Sequence, residues 1–276
     1  MMIMRIPPRL SALAACLIAL GCAHAEPTEP ATPDAAEPST AEPSTHQADA
    51  APDAVALLHR AEAAADGLDT LEARLRYDRI QGLLGDRQRR FGRLAYDAGG
   101  EDRPARFAVT LDKLLVDGQP RDIAKRYVFD GRWLAEADAD DKTFTRRELV
   151  AEGESTDLMA MGDGPFALPL NMHADTVLQR FVAEDVTPDD GPPILRLTPR
   201  EGFDVDVDQV TIVYDPDTML PREATTVEDQ KAGDVSILRL FDPKTGVTLE
   251  DADFDTAPPS DPAWRVQVVE LEAPAS

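Results

Sequence analysis

Between Leu71 and Asp78 every second residue is apolar: Leu71, Ala73, Leu75 and Tyr77 alternate with Glu72, Arg74, Arg76 and Asp78. Successive side chains of a β-strand point to opposite faces, so this stretch predicts a strand with one dry and one wet face. Such a strand is satisfied only by neighbours that continue its dry face. The chain supplies them at hairpin spacing. Gly82 and Gly85-Asp86 mark a turn before a second strand over 87–96, and Phe107, Val109 and Leu111 alternate again. Residues 123–129 meet 132–137 through Asp130-Gly131, a strong two-residue hairpin signal. Asp138, Asp140 and Asp141, turn formers first, lead into 142–149. After an interruption, strands are expected over 181–186, 194–197, 209–214, 222–228 and 234–241, with a closing edge segment in the tail from Phe254 to Glu270.

The expected architecture is therefore α+β, mainly β. About ten antiparallel strands should curl into an incomplete barrel, because that many twisted strands rarely stay flat. A helix over 53–65 precedes them, with Asp53 as N-cap, apolar stripes through Val55, Leu58 and Ala65 and through Leu57, Ala61 and Ala64, and Gly67 as the stop. The interruption at 152–180 holds Gly162, Gly164, Pro165 and Pro169 among Met159, Met161, Phe166, Leu168, Leu170 and Met172. It reads as one or two short helices, the clearer one over 175–181. Methionine-rich surface adapts to irregular partners, and it also fills core gaps.

The N-terminus sets the compartment. Arg5 and Arg9 flank a short start, an apolar run covers 10–20, and small residues follow, the layout of a secretory signal over 1–25. The apolar run is about half the ~20 residues that span a bilayer. Two cuts remain open: after Ala23-His24-Ala25, leaving Glu26 first, or before Cys22 in Ala19-Leu20-Gly21-Cys22, a lipobox-like run that would make Cys22 a lipidation site. Residues 26–51, nearly all Pro, Glu, Ala, Thr, Ser and Asp, cannot bury enough apolar surface to offset ordering entropy and read as a disordered linker. The remaining segment, 52–276, fits one large domain.

Composition excludes several functions. A formal charge of −24 disfavours a nucleic-acid partner, which needs clustered cations. Both cysteines, Cys16 and Cys22, lie in the signal, so the domain has no disulfide or thiolate metal site. Three histidines remain after the signal, His46, His59 and His173, and there is no Gly-x-Ser-x-Gly, His-Glu-x-x-His or phosphate loop. The string from Asp204 to Asp208 lacks the glycine and final glutamate of a calcium hand and reads as the wet side of a strand. No enzyme, cofactor or metal is expected.

Several short signatures, in order, resemble those of the outer-membrane lipoprotein carrier (LolA-like) family from about Asp53 to Glu270. Arg103-Pro104-Ala105-Arg106-Phe107 is similar to its Arg-Pro-x-x-Phe segment, and Asp130-Gly131-Arg132-Trp133 resembles its Asp-Gly-x-x-Trp hairpin, one residue tighter. Leu197-Thr198-Pro199-Arg200 is close to a Leu-Thr-Pro-Lys strand end, and Phe254 with Pro258-Pro259 echoes the family's terminal Phe and Pro-Pro. Val109 stands where members often carry Trp, and 112–122 is longer than the usual connection. The resemblance implies an apolar cavity under a helical lid that takes acyl chains of lipoproteins or lipids, with an inner-membrane donor and an outer-membrane acceptor as partners. The candidate lining residues are Leu75, Phe91, Phe107, Val109, Trp133, Phe144 and Ile212. The resemblance implies Arg103 as a latch bonded to lid backbone, and the other reading of Arg103 is a surface ion pair with Glu101 or Asp102. A soluble periplasmic carrier, an acceptor anchored through Cys22, and an envelope sensor or scaffold of the same fold all fit.

Overall fold

In the computed structural model, residues 52–100, 103–151, 169–203 and 205–271 are described. The signal, Cys22, the linker, and Met159, Met161, Phe166 and Leu168 lie outside them. The domain is mainly β, built on one sheet of twelve strands, with helix α1 (Pro52–Asp66) before it and helix α2 (Ala174–Arg180) inserted midway. The strands are β1 (Thr70–Gln81), β2 (Asp86–Asp97), β3 (Arg106–Val116), β4 (Gln119–Phe129), β5 (Trp133–Asp138), β6 (Thr143–Glu148), β7 (Phe181–Asp185), β8 (Ile194–Pro199), β9 (Gln209–Tyr214), β10 (Pro221–Asp229), β11 (Asp234–Thr245) and β12 (Arg265–Val269).

The order across the sheet is β12-β6-β5-β4-β3-β2-β1-β11-β10-β9-β8-β7. The incomplete barrel stays open, with β12 and β7 as its edges. Two details depart from expectation. β12 runs parallel to β6, whereas every other pairing is antiparallel. The long connection expected over 112–122 is instead a continuation of β3 and β4 around a tight turn, where Asp117 and Gly118 take positive φ.

Register shows how the alternation works. Leu71 faces Tyr96, which faces Phe107, which faces Phe129, which faces Leu134. In the other direction Tyr77 faces Leu238, then Ala224, Ile212 and Leu195. All of these belong to one face, the inner one. Gly92 lies between Leu75 and Leu111 on it, at a bulge, and a Cβ there would fall 1.8 Å from the Thr110 carbonyl oxygen.

Helix α1 covers one end of that face. Ala54, Leu57, Leu58 and Ala61 form a stripe at helical spacing and pack with Phe181, Leu195, Leu197 and Ile212. Over β1–β4 the inner face packs with Leu68, Val150 and Leu170. Pro52 opens the helix, and Asp53 sits in its first turn, where a carboxylate is favoured by the helix dipole.

The outer face is crossed by a strap, residues 246–264, that leaves β11 and returns as β12. Phe254 packs on Ala108 and Val128, with the Arg106 guanidinium 4.2 Å from its ring centroid. Arg126 donates to the carbonyls of Ala252 and Asp253, Arg106 pairs with Asp251 at 2.8 Å, and Thr256 Oγ1 donates to Asp130. Residues 205–208 form irregular chain before β9, not the strand expected there, and the Asp208 carboxylate accepts the Gln230 amide across the next turn.

Candidate functional site

Among the described residues, a small cleft of about 10 Å³ opens on the inner face between α1, residues 169–172 and the β9–β10 connection. Ala61, Ala65, Leu170, Met172 and Met219 make its walls apolar. That is about the room one water needs, far below the ~300–1,000 Å³ of ordinary small-molecule pockets. Tyr214 reaches into this region from the end of β9. Its hydroxyl is buried with no hydrogen-bond partner, and burial pushes its pKa far up, so it stays a protonated donor. An orphan hydroxyl in apolar surroundings costs free energy until a partner reaches it.

The cover over this cleft is tied by polar contacts. Arg200 Nε donates to the backbone oxygens of Leu178 and Phe181, at 2.9 and 3.1 Å, and so clasps the end of α2. His173, just before α2, lies 3.5 Å from Glu62 of α1. Sequence reading passed over Arg200, although Leu197-Thr198-Pro199-Arg200 was visible as a strand end.

Arg103 sits elsewhere. Its guanidinium pairs with the buried Asp97 carboxylate at 2.9 Å, together with Arg106 at 3.0 Å, so it fastens the β2–β3 connection. Neither Glu101 nor Asp102 lies among the described residues. Among the described residues, the arginine bonded to the backbone of α2 is Arg200.

The expected lining residues divide by strand parity. Leu75, Phe107 and Val109 lie together on the inner face over β1–β3, and Ile212 lies on the same face under α1. Phe107 and Phe129 pack with ring centroids 5.9 Å apart. The other three fall on the outer face. Phe91 is opposite Arg76, one position out of phase with the inner pair Leu75–Gly92 and with Leu94 and Tyr96 of its own strand. Trp133 neighbours Leu134, which is inner, and carries the Arg146 guanidinium 4.2 Å over its ring. Phe144 opposes Ala137, in phase with Ala135 and Val128 on the strap side.

The inner face changes character along its strands. Past Val109 the row reads Tyr127 and Glu136, and the next row ends in Lys125 and Asp138, paired at 2.6 Å. Burial, then the neighbouring Glu136 charge, push the Tyr127 pKa up. On the outer face, Asp78 is fully buried among arginines: Arg89 Nε at 2.7 Å, Arg76 and Arg239 at 3.2 Å, and Arg87 at 3.9 Å.

These features define a class: an open single-sheet β-module with one dry face, a partial helical cover, and a small apolar cleft holding an unpaired hydroxyl. No family model and no curated protein matches the chain. Among solved structures it is similar to a LolA superfamily protein from Nitrosomonas europaea, at 15% identity and a TM-score of 0.38, over 73% of this chain and 97% of that one. It is similar to LprF from Mycobacterium bovis, at 10% identity and a TM-score of 0.38, over 74% and 98%. In the Pseudomonas aeruginosa MucA/MucB complex it matches at 14% identity and a TM-score of 0.43, over 74% of this chain and 61% of that one.

Proposed function

We propose that the domain over 52–276 is a non-enzymatic binding module that shelters acyl chains of lipids or lipoproteins between its inner face and its helical cover, as a carrier in the bacterial envelope. The observation that carries this is the cleft beneath α1, apolar on its walls and holding the orphan Tyr214 hydroxyl. Hydrocarbon would extend from that cleft along the Leu75, Phe107, Val109 and Ile212 face as the cover lifts. Each CH₂ taken from water gains ~0.8 kcal/mol, enough in sum to offset repacking of the cover. The Tyr214 hydroxyl would donate to an ester or carboxyl oxygen of the bound molecule. Arg200, bonded to the backbone of Leu178 and Phe181, would hold α2 down, the role first expected of Arg103. Residues 1–25 are the export signal in this reading and 26–51 a tether. Lipidation at Cys22 would make the protein an anchored acceptor; cleavage before Glu26 would make it soluble.

The test is extraction of the purified full-length mature protein and identification of what it carries, with a fluorescent fatty acid as titrant. Acyl-bearing molecules in the extract, and displacement of the probe by them, are expected. An empty extract from a protein that also ignores the probe ends the reading. Tyr214→Phe sharpens it. Removing an orphan hydroxyl should raise unfolding free energy by ~1 kcal/mol while weakening probe binding, two effects of opposite sign. Mass spectrometry of the mature N-terminus separates a diacylated Cys22 from a free Glu26.

A further inference from the structure

The hairpin joining β1 to β2 ends in Gly82-Leu83-Leu84-Gly85. Leu83 is 81% exposed and Leu84 76%, the highest values among the exposed large apolar residues of the described chain. Two leucines side by side in water at the most projecting point of a strand pair gain nothing for the fold. The base of the turn, by contrast, is built rigidly. The Gly82 amide donates to Asp234 at 3.1 Å, and Gly82 packs so closely on the neighbouring β10–β11 turn that a Cβ would lie 2.3 Å from the Ala232 carbonyl oxygen. Gly85 closes the turn at φ +67 with its amide on the Gly82 carbonyl. The tip is thus held out, not left to fold back.

Behind the leucines cations cluster on one face. The outer face of β1–β3 and β11 carries Arg74, Arg76, Arg87, Arg89, Arg93, Lys113 and Arg239 beyond the reach of the strap. Five carboxylates at this end are engaged internally, while Asp117 and Asp122 of the β3–β4 hairpin are exposed. Asp78 sits inside the arginine ring, Asp86 accepts from Gln88, Asp234 from Gly82, Asp229 from the amides of its own turn, and Glu228 from Ser236. Arg93, Lys113 and Lys231 stay exposed, and the Arg87 side chain is 54% exposed.

We infer that the β1–β2 hairpin is a membrane-docking element, with Leu83 and Leu84 entering the acyl boundary of a bilayer and the adjacent arginines meeting anionic headgroups. An apolar tip backed by cations matches the two attractions that hold a protein at a bilayer interface, buried hydrocarbon and surface charge. In a chain of net charge −24, clustered cations beside an apolar tip give an anionic surface a place to approach. This inference is independent of what the inner face holds.

The test is flotation of the full-length mature protein, carrying Cys22→Ser so that no acyl anchor contributes, with phosphatidylcholine vesicles made with or without phosphatidylglycerol. Binding to the anionic vesicles that weakens with added salt is expected. Leu83→Ser/Leu84→Ser should lower it about tenfold or more, with unchanged circular dichroism and melting temperature, since neither side chain is packed. Arg87→Gln should lower it by about fivefold. No flotation by the parent protein, or equal flotation by the leucine double variant, overturns the inference. Binding to an acidic protein in place of vesicles would overturn it as well and reassign the basic face. Extraction of bound lipid from the same double variant reads the inner face separately.

Discussion

Strand β1 shows one residue pattern used for two kinds of core. On the inner side Leu71 and Leu75 are buried among leucine, valine and aromatic side chains. On the outer side Asp78, the residue the alternation assigns to water, is as completely buried as Leu71. Its shield consists of the stems and guanidinium groups of Arg76, Arg89 and Arg239. Long cationic side chains can roof a sheet with their methylenes while their heads converge on a carboxylate. Period-two patterning thus assigns residues to a face, but whether that face is wet depends on partners from other strands, here β2 and β11. The inner core is held by contact area and the outer one by charge balance, and the two should fail differently.

The largest test sets these against each other. Asp78→Ala leaves three half-buried arginines facing one another, and breaking a buried pair by removing one partner costs ~3–5 kcal/mol. Leu75→Ala on the same strand should cost ~2–5 kcal/mol through lost burial and the cavity left behind. Both are measured by urea unfolding. The losses should separate by salt: high ionic strength screens the repulsion in Asp78→Ala and recovers part of its deficit, whereas Leu75→Ala does not respond. If Asp78→Ala costs less than ~1 kcal/mol, the outer network is ordinary surface charge.

A smaller effect lies where the strap seals the outer face. Thr256 donates to Asp130, the residue whose other oxygen accepts the amides of Arg132 and Trp133 and so shapes the β4–β5 turn. Thr256→Val keeps the volume and removes a hydrogen bond to a charged acceptor, which costs ~1.5–3 kcal/mol. Hydrogen exchange should speed up in 249–256 and in the β4–β5 turn together. Acceleration of the strap alone would mean that the turn is organised without it.

Much of this arrangement was legible in the residues. Helix α1 and strands β1 to β11 were each marked by a stripe, an alternation or a turn, and Asp130-Gly131 and Asp138 act as the turn formers their chemistry suggests. What was illegible depends on contacts distant in sequence. The parallel pairing of β12 rests on a strap whose anchors, Arg106 and Arg126, lie more than a hundred residues away in β3 and β4. The bulge in β3 between Leu111 and Lys113 inserts one residue and inverts the parity beyond it, so that Leu111 and Leu114 share the inner face while Lys113, opposite Phe91, lies outside. Phe91, Trp133 and Phe144 were expected among the lining; their register puts them on the outer face. Tyr214 ended a well-marked strand, and nothing local showed that its hydroxyl would be unpaired.

The inner face itself is not uniform, and Asp138 tests where its dry character stops. Burial alone would raise the Asp138 pKa, but the Lys125 ammonium and the amides of Asp141 and Asp140 outweigh it and hold the carboxyl below its usual 3.8. A carboxyl with a depressed folded pKa adds stability that is fully present above its unfolded value and disappears as pH falls through the folded value. Asp138→Asn should therefore be less stable than the parent at neutral pH, with the gap shrinking below pH 3.8 and closing in stronger acid. Chemical denaturation across that range measures it. A gap independent of pH would mean that shape and backbone capping matter at this position and charge does not.

The smallest expected effect isolates what shielding contributes on the outer face. Arg74 and Asp242 pair across β1 and β11, two residues along from Arg76, yet their side chains are 71% and 67% exposed. Solvent screens such a pair, and ordering two mobile side chains offsets most of the attraction, so exposed ion pairs contribute ~0–1 kcal/mol. Arg74→Met should shift the unfolding free energy by no more than that, and the shift should vanish in high salt. The same arginine-to-carboxylate chemistry thus spans the whole range from Asp78 to Asp242 on one face. A loss from Arg74→Met as large as that from Asp78→Ala would show that charge geometry, not enclosure by neighbouring side chains, governs the outer network.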